Sequence, residues 1–285
     1  MERVEEWASW RPCGAVGDLV LGYCGYRQSG LAPARHRGLP SPYLTLIFTL
    51  DDPLQVIEHP DPAQPPERYR TLVGGLHTRP ALITHDGAQS GVQLSLDPLG
   101  ARAVLGVPAG ELAAQDLHGD AVFGRFADLV QDRLQSVPSW PQRFRLLDQL
   151  LAARITGQPA QVRPEVAWAW QRIVATRGRV RVRELAAEVG CSSRHLGELF
   201  RAEIGLAPKE AARVVRFDRA RRRLQQARPR LAVVADLAAD CGYFDQSHLN
   251  RDFRRFAGAA PLEWLAEELR NVQVPPEDVL AASWA

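Results

Sequence analysis

The sequence predicts an α+β protein. A small N-terminal β-barrel or sandwich with added helices is followed by an all-α region in which two helix-turn-helix units are joined by a long helix. Three observations predict this. Between residues 15 and 100, short runs rich in β-branched and aromatic residues alternate with Gly, Pro and Asp clusters. From Glu165 to Leu269 the apolar residues recur at helical spacing instead. Within that helical stretch one pattern occurs twice.

The expected strands are 16–26, 43–50, 54–58, 68–73, 80–85 and 92–96. Pro60-Asp61-Pro62 and Gly74-Gly75 are the clearest breaks between them. A barrel or sandwich is the way such short strands bury their apolar sides. Asp97-Pro98 then opens a helical segment with apolar stretches at 101–105 and 112–113. A helix over 121–134 carries Val122, Phe126, Leu129, Val130 and Leu134 on one side. A second, over 141–154, does the same with Phe144, Leu147, Leu150 and Leu151, and Pro138 and Pro141 separate the two. Gly157 to Pro164 is the linker, because Gly and Pro cluster there and the apolar period stops. The chain therefore divides into residues 1–158, residues 164–270 and a peripheral tail, 271–285. Helices are expected over 165–176, 182–189, 193–204, 208–227, 232–240, 246–257 and 262–269.

The repeat is specific. Leu185-Ala186-Ala187-Glu188-Val189-Gly190 is matched by Leu237-Ala238-Ala239-Asp240-Cys241-Gly242. After the glycine, His195-Leu196, Phe200 and Gly205 are matched by His248-Leu249, Phe253 and Gly258, in register one residue later. The alanines let the first helix of each unit approach its neighbour closely. The glycine ends that helix where a positive φ costs nothing. Leu and Phe four residues apart anchor the second helix and leave its opposite face polar. Short helix, tight turn and longer helix, at 182–204 and again at 232–257, make two helix-turn-helix units. The helix between them would be about 30 Å long at ~1.5 Å per residue, close to the ~34 Å turn of B-form DNA.

Composition agrees with this division. Residues 1–160 hold 14 arginines against 17 acidic residues, and residues 161–285 hold 21 basic against 16 acidic residues. The first part is net −3 and the second net +5, as for a sensor joined to a nucleic-acid reader. Lys209 is the only lysine among 35 basic residues, which reads as a GC-rich coding bias rather than as a DNA signal. Cys13, Cys24, Cys191 and Cys241 form no C-x-x-C pair and have no histidine at zinc-ligand spacing, so neither metal nor cofactor is expected. There is no apolar signal-peptide core and no run of the ~20 apolar residues that crosses a bilayer. A cytoplasmic, nucleoid-associated protein is expected.

Residues 165–269 resemble the DNA-binding domain of the AraC/XylS family. The second unit, from Gly242-Tyr243-Phe244-Asp245-Gln246-Ser247-His248-Leu249 through Asn250-Arg251-Asp252-Phe253 to Gly258-Ala259-Ala260-Pro261, is close to that family's signature. Leu249 stands where an aromatic residue is common, a change that should affect packing rather than readout. The resemblance implies a transcription regulator that reads double-stranded DNA with two recognition helices and works with RNA polymerase. Family analogy and helix geometry both put Gln246, Ser247 and Arg251 against bases, Arg suiting guanine and Gln suiting adenine. In the first unit Ser193, Arg194 and Glu198 take those places, while Gly197 offers only close approach. Arg201, Arg213, His248, Arg254 and Arg255 are expected at the DNA backbone, and about half of the arginines on the long helix could meet phosphates. His195 and His248, just before the core leucines, could cap a helix or bond a phosphate.

The N-terminal half resembles the sensor domains of such regulators only by position and strand content. It has no H-x-H pair followed by an acid, as a metal-binding cupin would. His77, Arg79 and His85 form the candidate effector pocket. Two rival readings remain open at this stage. One is a ligand-blind regulator whose N-terminal half only forms a homodimer through the helices at 121–154. The other is an enzyme fused to a DNA reader, such as an alkyl transferase using Cys13 or Cys24, although no activating group accompanies either thiol.

Overall fold

A computed structural model describes residues 3–155, 162–226 and 233–271. The N-terminal strands are β1 (Val4–Trp10), β2 (Val20–Ser29), β3 (Ala34–Gly38), β4 (Leu44–Thr49), β5 (Leu54–Glu58), β6 (Glu67–Tyr69), β7 (Thr71–Gly74), β8 (Ala81–His85), β9 (Gln89–Leu96) and β10 (Asp116–His118). They form two antiparallel sheets, a six-stranded one in the order β1-β2-β9-β4-β7-β10 and a four-stranded one in the order β3-β8-β5-β6. The result is a sandwich rather than a closed barrel. Five helices accompany it: α1 (Gly14–Gly17), α2 (Ala101–Leu105), α3 (Gly119–Phe123), α4 (Arg125–Ser136) and α5 (Trp140–Ile155).

Several elements differ from the expectation. Val16 lies in the helical turn α1, so the strand expected at 16–26 begins at Val20. The helix expected over 121–134 is broken at Gly124, whose φ of 60° takes the chain out of the helical region. β1, β3 and β10 were not foreseen. All three are edge strands, half-solvated, and so lack a clean apolar signature. Most of the expected linker, 157–161, and residues 272–285 of the tail lie outside the described residues.

The two faces of the six-stranded sheet do different work. On one face Tyr23, Leu44, Leu46, Phe48, Val73, Val92 and Leu94 pack against the helices, meeting Val104, Leu105, Val130, Leu134, Phe144 and Leu147. On the other, Ile47 and Leu72 meet Leu54, Val56, Tyr69, Ala81 and Ile83 of the smaller sheet, a much thinner core. Beside that thin core the inward positions are polar. Cys24 is paired in register with Gln93, and Thr45 with Ser95.

The C-terminal region comprises α6 (Pro164–Ala175), α7 (Val182–Glu188), α8 (Ser193–Ile204), α9 (Pro208–Gln226), α10 (Val233–Asp240), α11 (Gln246–Ala257) and α12 (Pro261–Asn271). Its core is aromatic: the Phe217 ring on α9 lies 5.0 Å from Phe253 and 5.2 Å from Phe256. Gly190 and Gly242, closing α7 and α10, have φ of +71° and +80°, the conformation the repeat requires of them. This core continues into the N-terminal half through Leu76, Leu39 and Leu99. Arg37–Glu267 and Arg102–Glu203 ion pairs also cross the junction. The backbone of Gly110 approaches α8 so closely that a Cβ there would meet the Ala202 carbonyl oxygen at 2.2 Å.

Candidate nucleic-acid interface

Each helix-turn-helix unit presents its second helix in the same way. Leu196 and Phe200 of α8, and Leu249 and Phe253 of α11, are wholly buried, which turns the opposite faces outward. Ser193, Arg194, Glu198 and Arg201 are exposed on α8, as are Gln246, Ser247, Arg251, Arg254 and Arg255 on α11. Both N-termini are capped. The Ser192 hydroxyl accepts from the His195 backbone N–H at 3.2 Å, and an Asp245 carboxylate oxygen accepts from the His248 N–H at 2.7 Å. Of the two roles open to the histidine rings, capping falls instead to the side chains three residues earlier. The His248 ring is half-buried, edge-on to Tyr243 at 5.1 Å. Arg194 is held against Glu198 at 3.0 Å, one helical turn along, so these two outward groups engage each other.

The arginines of α9 require a larger correction. Arg213, expected at the DNA backbone, donates through two nitrogens to one oxygen of Asp252, at 3.1 and 2.6 Å, and its guanidinium lies over the Phe256 ring. Asp252 is 1% exposed, so this pair fastens α9 to α11. Arg216 donates to the Gly178 carbonyl oxygen, Arg221 and Arg222 to Asp218, and Arg223 to Asp240. Burial would push the Asp218 carboxyl up, but Arg222 and Arg221 outweigh it and hold it below the usual carboxylate range. Arg255, at the end of α11, is bonded to Glu210 at 2.9 Å. Arg213, Arg216, Arg221, Arg222 and Arg223 of the long helix therefore brace the fold, and the outward-facing groups are concentrated on α8 and α11.

A cavity of about 270 Å³ opens inside the sandwich beside its thin core. Cys24, Thr45, Gln93, Ser95 and His36 line it from the two sheets, with Trp7 and Ile83 among its apolar walls. Its far wall belongs to the C-terminal region: Arg221, Arg222 and Gln225 of α9, and Trp264 and Glu268 of α12. Among the described residues, four buried polar atoms on its lining residues have no hydrogen-bond partner: His36 Nδ1, Arg221 Nε, Gln225 Oε1 and Trp264 Nε1. Burial and the neighbouring His85 lower the His36 pKa to about 4, so the ring is neutral. Of the sequence-predicted pocket residues only His77 lines this cavity. Arg79 is exposed, and its carbonyl oxygen is hydrogen-bonded to His77 Nδ1. His85 is buried outside the lining, with Nδ1 accepting from the Gly87 N–H. His36, Gln93, Trp264 and Arg221 were missed. An inward-facing polar residue in mid-strand was the available signal for Gln93; nothing local marked the others.

Comparison with known proteins bears on this geometry. A family model described as a helix-turn-helix domain matches residues 185–267, which span both units. Over 84 residues the chain is 33% identical to an HTH-type transcriptional regulator of Mycobacterium tuberculosis, covering 30% of this chain and 31% of that protein. Over 77 residues it is 31% identical to the HTH-type transcriptional activator RhaR of Escherichia coli, covering 27% and 26%. Residues 185–267 form a helix-turn-helix domain similar to those of these transcription regulators.

The matched segments span less than a third of the length of these relatives. The whole fold is similar to that of ToxT from Vibrio cholerae, with a TM-score of 0.51 and 10% identity over 88% of this chain and 98% of that one. ToxT with an unsaturated fatty acid bound aligns with a TM-score of 0.50 and 10% identity over 97% and 100% of the two chains. Leu249, in place of the aromatic residue common in the resembled signature, is completely buried; the departure from the signature falls on the core side of α11.

Proposed function

We propose that the chain is a sequence-specific DNA-binding transcription regulator of bacterial promoters, switched by a small molecule held in the N-terminal sandwich. The observation that carries the reading is the pair of capped, outward-facing helices α8 and α11, braced by α9. Ser193, Arg194, Glu198, Gln246, Ser247 and Arg251 stand where base edges would be read; Arg201 and Arg254 are left for phosphate. Selection of duplexes from a random pool by the full chain tests this. A defined motif bound with steep salt dependence is expected. Binding blind to sequence would refute it.

The cavity supports the effector. The polar side chains of His36, Gln93, Arg221 and Arg222 around one hollow fit a ligand with complementary groups. A volume of about 270 Å³ lies near the lower end of the range of small-molecule sites, roughly 300–1,000 Å³, so the effector is a small metabolite. Its far wall is formed by α9 and α12, which lets occupancy bear on the helix joining the two DNA-reading units. The ToxT form with a bound fatty acid makes small organic acids the first compounds to screen. Thermal shift of the full chain against a metabolite library should find a stabilising ligand, and Gln93→Leu, which removes a polar group from the lining, should weaken it. Stable dimers that no compound stabilises would favour the ligand-blind regulator instead.

The reading is of a regulator and not an enzyme. Burial pushes the Cys24 thiol up to about 12, which leaves it protonated and unreactive. Contact with RNA polymerase, formation of a homodimer and residence in the cytoplasm at the nucleoid belong to the same proposal. Among the described residues no helix is long and apolar enough to cross a membrane.

A further inference from the structure

The second unit carries one residue more before its recognition helix than the first. Between the turn glycine Gly190 and the capping Ser192 there is a single residue, Cys191, partly buried against the core. Between Gly242 and the capping Asp245 there are two, Tyr243 and Phe244. Tyr243, 5% exposed, goes inward as Cys191 does. Phe244 is turned out and is 93% exposed, whereas Leu129, Trp168 and Val174, the other exposed large apolar side chains among the described residues, reach only 44–47%.

Among the described residues none covers this ring. An apolar residue just ahead of an N-cap usually packs on the residue four places into the helix. Here that residue is Leu249, already sealed in the core, so no such contact forms. The extra residue instead sets a bare aromatic ring at the lip of α11, two and three positions from the exposed Gln246 and Ser247. The neighbouring Asp245 carboxylate is occupied by the His248 N–H. In the major groove the apolar feature that such a ring can meet is the 5-methyl group of thymine.

We propose that Phe244 is a base-reading residue whose ring covers a thymine 5-methyl group in the half-site contacted by α11. The assignment rests on the DNA-binding reading above, and it adds a specificity determinant outside the helix itself.

The test begins with the duplex motif selected by the full chain. Each thymine is replaced singly by uracil, which removes the methyl group and keeps the base pair. One replacement, at the α11 end of the motif, should weaken the wild-type chain about three- to fivefold, the share of one buried methyl group. Phe244→Ala should bind the thymine duplex more weakly and be indifferent to that replacement, while positions read by Arg251 keep their preference. Phe244→Leu should restore part of the discrimination. The proposal is overturned if Phe244→Ala retains the wild-type penalty at every thymine, or if the wild type shows none. It is overturned equally if Phe244→Ala binds DNA normally but fails to support transcription in a reconstituted reaction, since the ring would then meet a protein. Failure to select any motif would remove the DNA-binding reading as well, an outcome distinct from the others.

Discussion

Glu203, buried near the C-terminal end of α8, accepts two hydrogen bonds from the guanidinium of Arg102, at 2.6 and 2.9 Å. The two residues lie 101 positions apart, one in the N-terminal half and one on the second helix of the first helix-turn-helix unit. Paired donors in a fork hold orientation as well as charge. Arg102→Ala would leave the Glu203 carboxylate buried and unpaired. The arginine side chain is 37% exposed, so the loss should be roughly 1–3 kcal/mol, below that of a fully buried pair. Urea unfolding of the single variant and of Arg102→Ala/Glu203→Leu checks this: the double variant should be more stable than the single one.

Arg251 and Arg254 are both exposed on α11, one turn into the helix and three residues on. Arg251→Ala should relax preference at one position of the selected motif, with a loss of about 1–3 kcal/mol on the best sequence. Arg254→Ala should weaken all sequences alike and lower the slope of log affinity against log salt by about 1. Affinities over a matched site panel at several salt concentrations separate the two. A sequence-blind loss from Arg251→Ala would remove its assignment.

Arg213→Ala tests the bracing role of α9. It strands Asp252, whose other carboxylate oxygen already has no partner, and should cost roughly 2–4 kcal/mol of stability. The thermal midpoint should therefore fall, and DNA affinity should be lost in step with the folded fraction. A variant as stable as wild type but weak on all DNA would restore Arg213 to the phosphate contacts.

The neutral His36 predicts an acid-sensitive fold. Above pH 6.5 the imidazole is uncharged in both states. As the pH falls, the unfolded chain takes up a proton near 6.5 while the folded chain waits until about 4. Stability is therefore lost as the pH falls from 6.5 to 4, by at most about 3 kcal/mol from this residue. Burial lowers His77 and His85 in the same direction, so His36→Gln should flatten the profile without abolishing it. Chemical denaturation at half-unit pH steps measures the slope; an unchanged slope would mean that His36 titrates freely.

The three strands that sequence patterning missed, β1, β3 and β10, all lie at sheet edges, where half-solvated positions carry Glu5, Arg35 and His118 instead of an apolar alternation. The thin sandwich core left a hollow whose walls come from strands and helices far apart in sequence. His36 and Trp264 share it although nothing local connects them. The caps Ser192 and Asp245 were legible in principle, each standing at the position where a short polar side chain reaches the N–H three residues on.

The sequence by itself determined the two helix-turn-helix units, the helix between them and the outward faces of α8 and α11. These follow from helical periodicity, glycine conformation and capping, all of which act over a few residues. Which arginines are held within the protein, where the cavity opens and how α8 is tied to the N-terminal half follow from tertiary contacts. A charged side chain's partner and a hollow's walls depend on contacts across the whole chain: Arg213 and Arg251 look alike in a pattern, and one is fastened to a buried carboxylate while the other faces solvent.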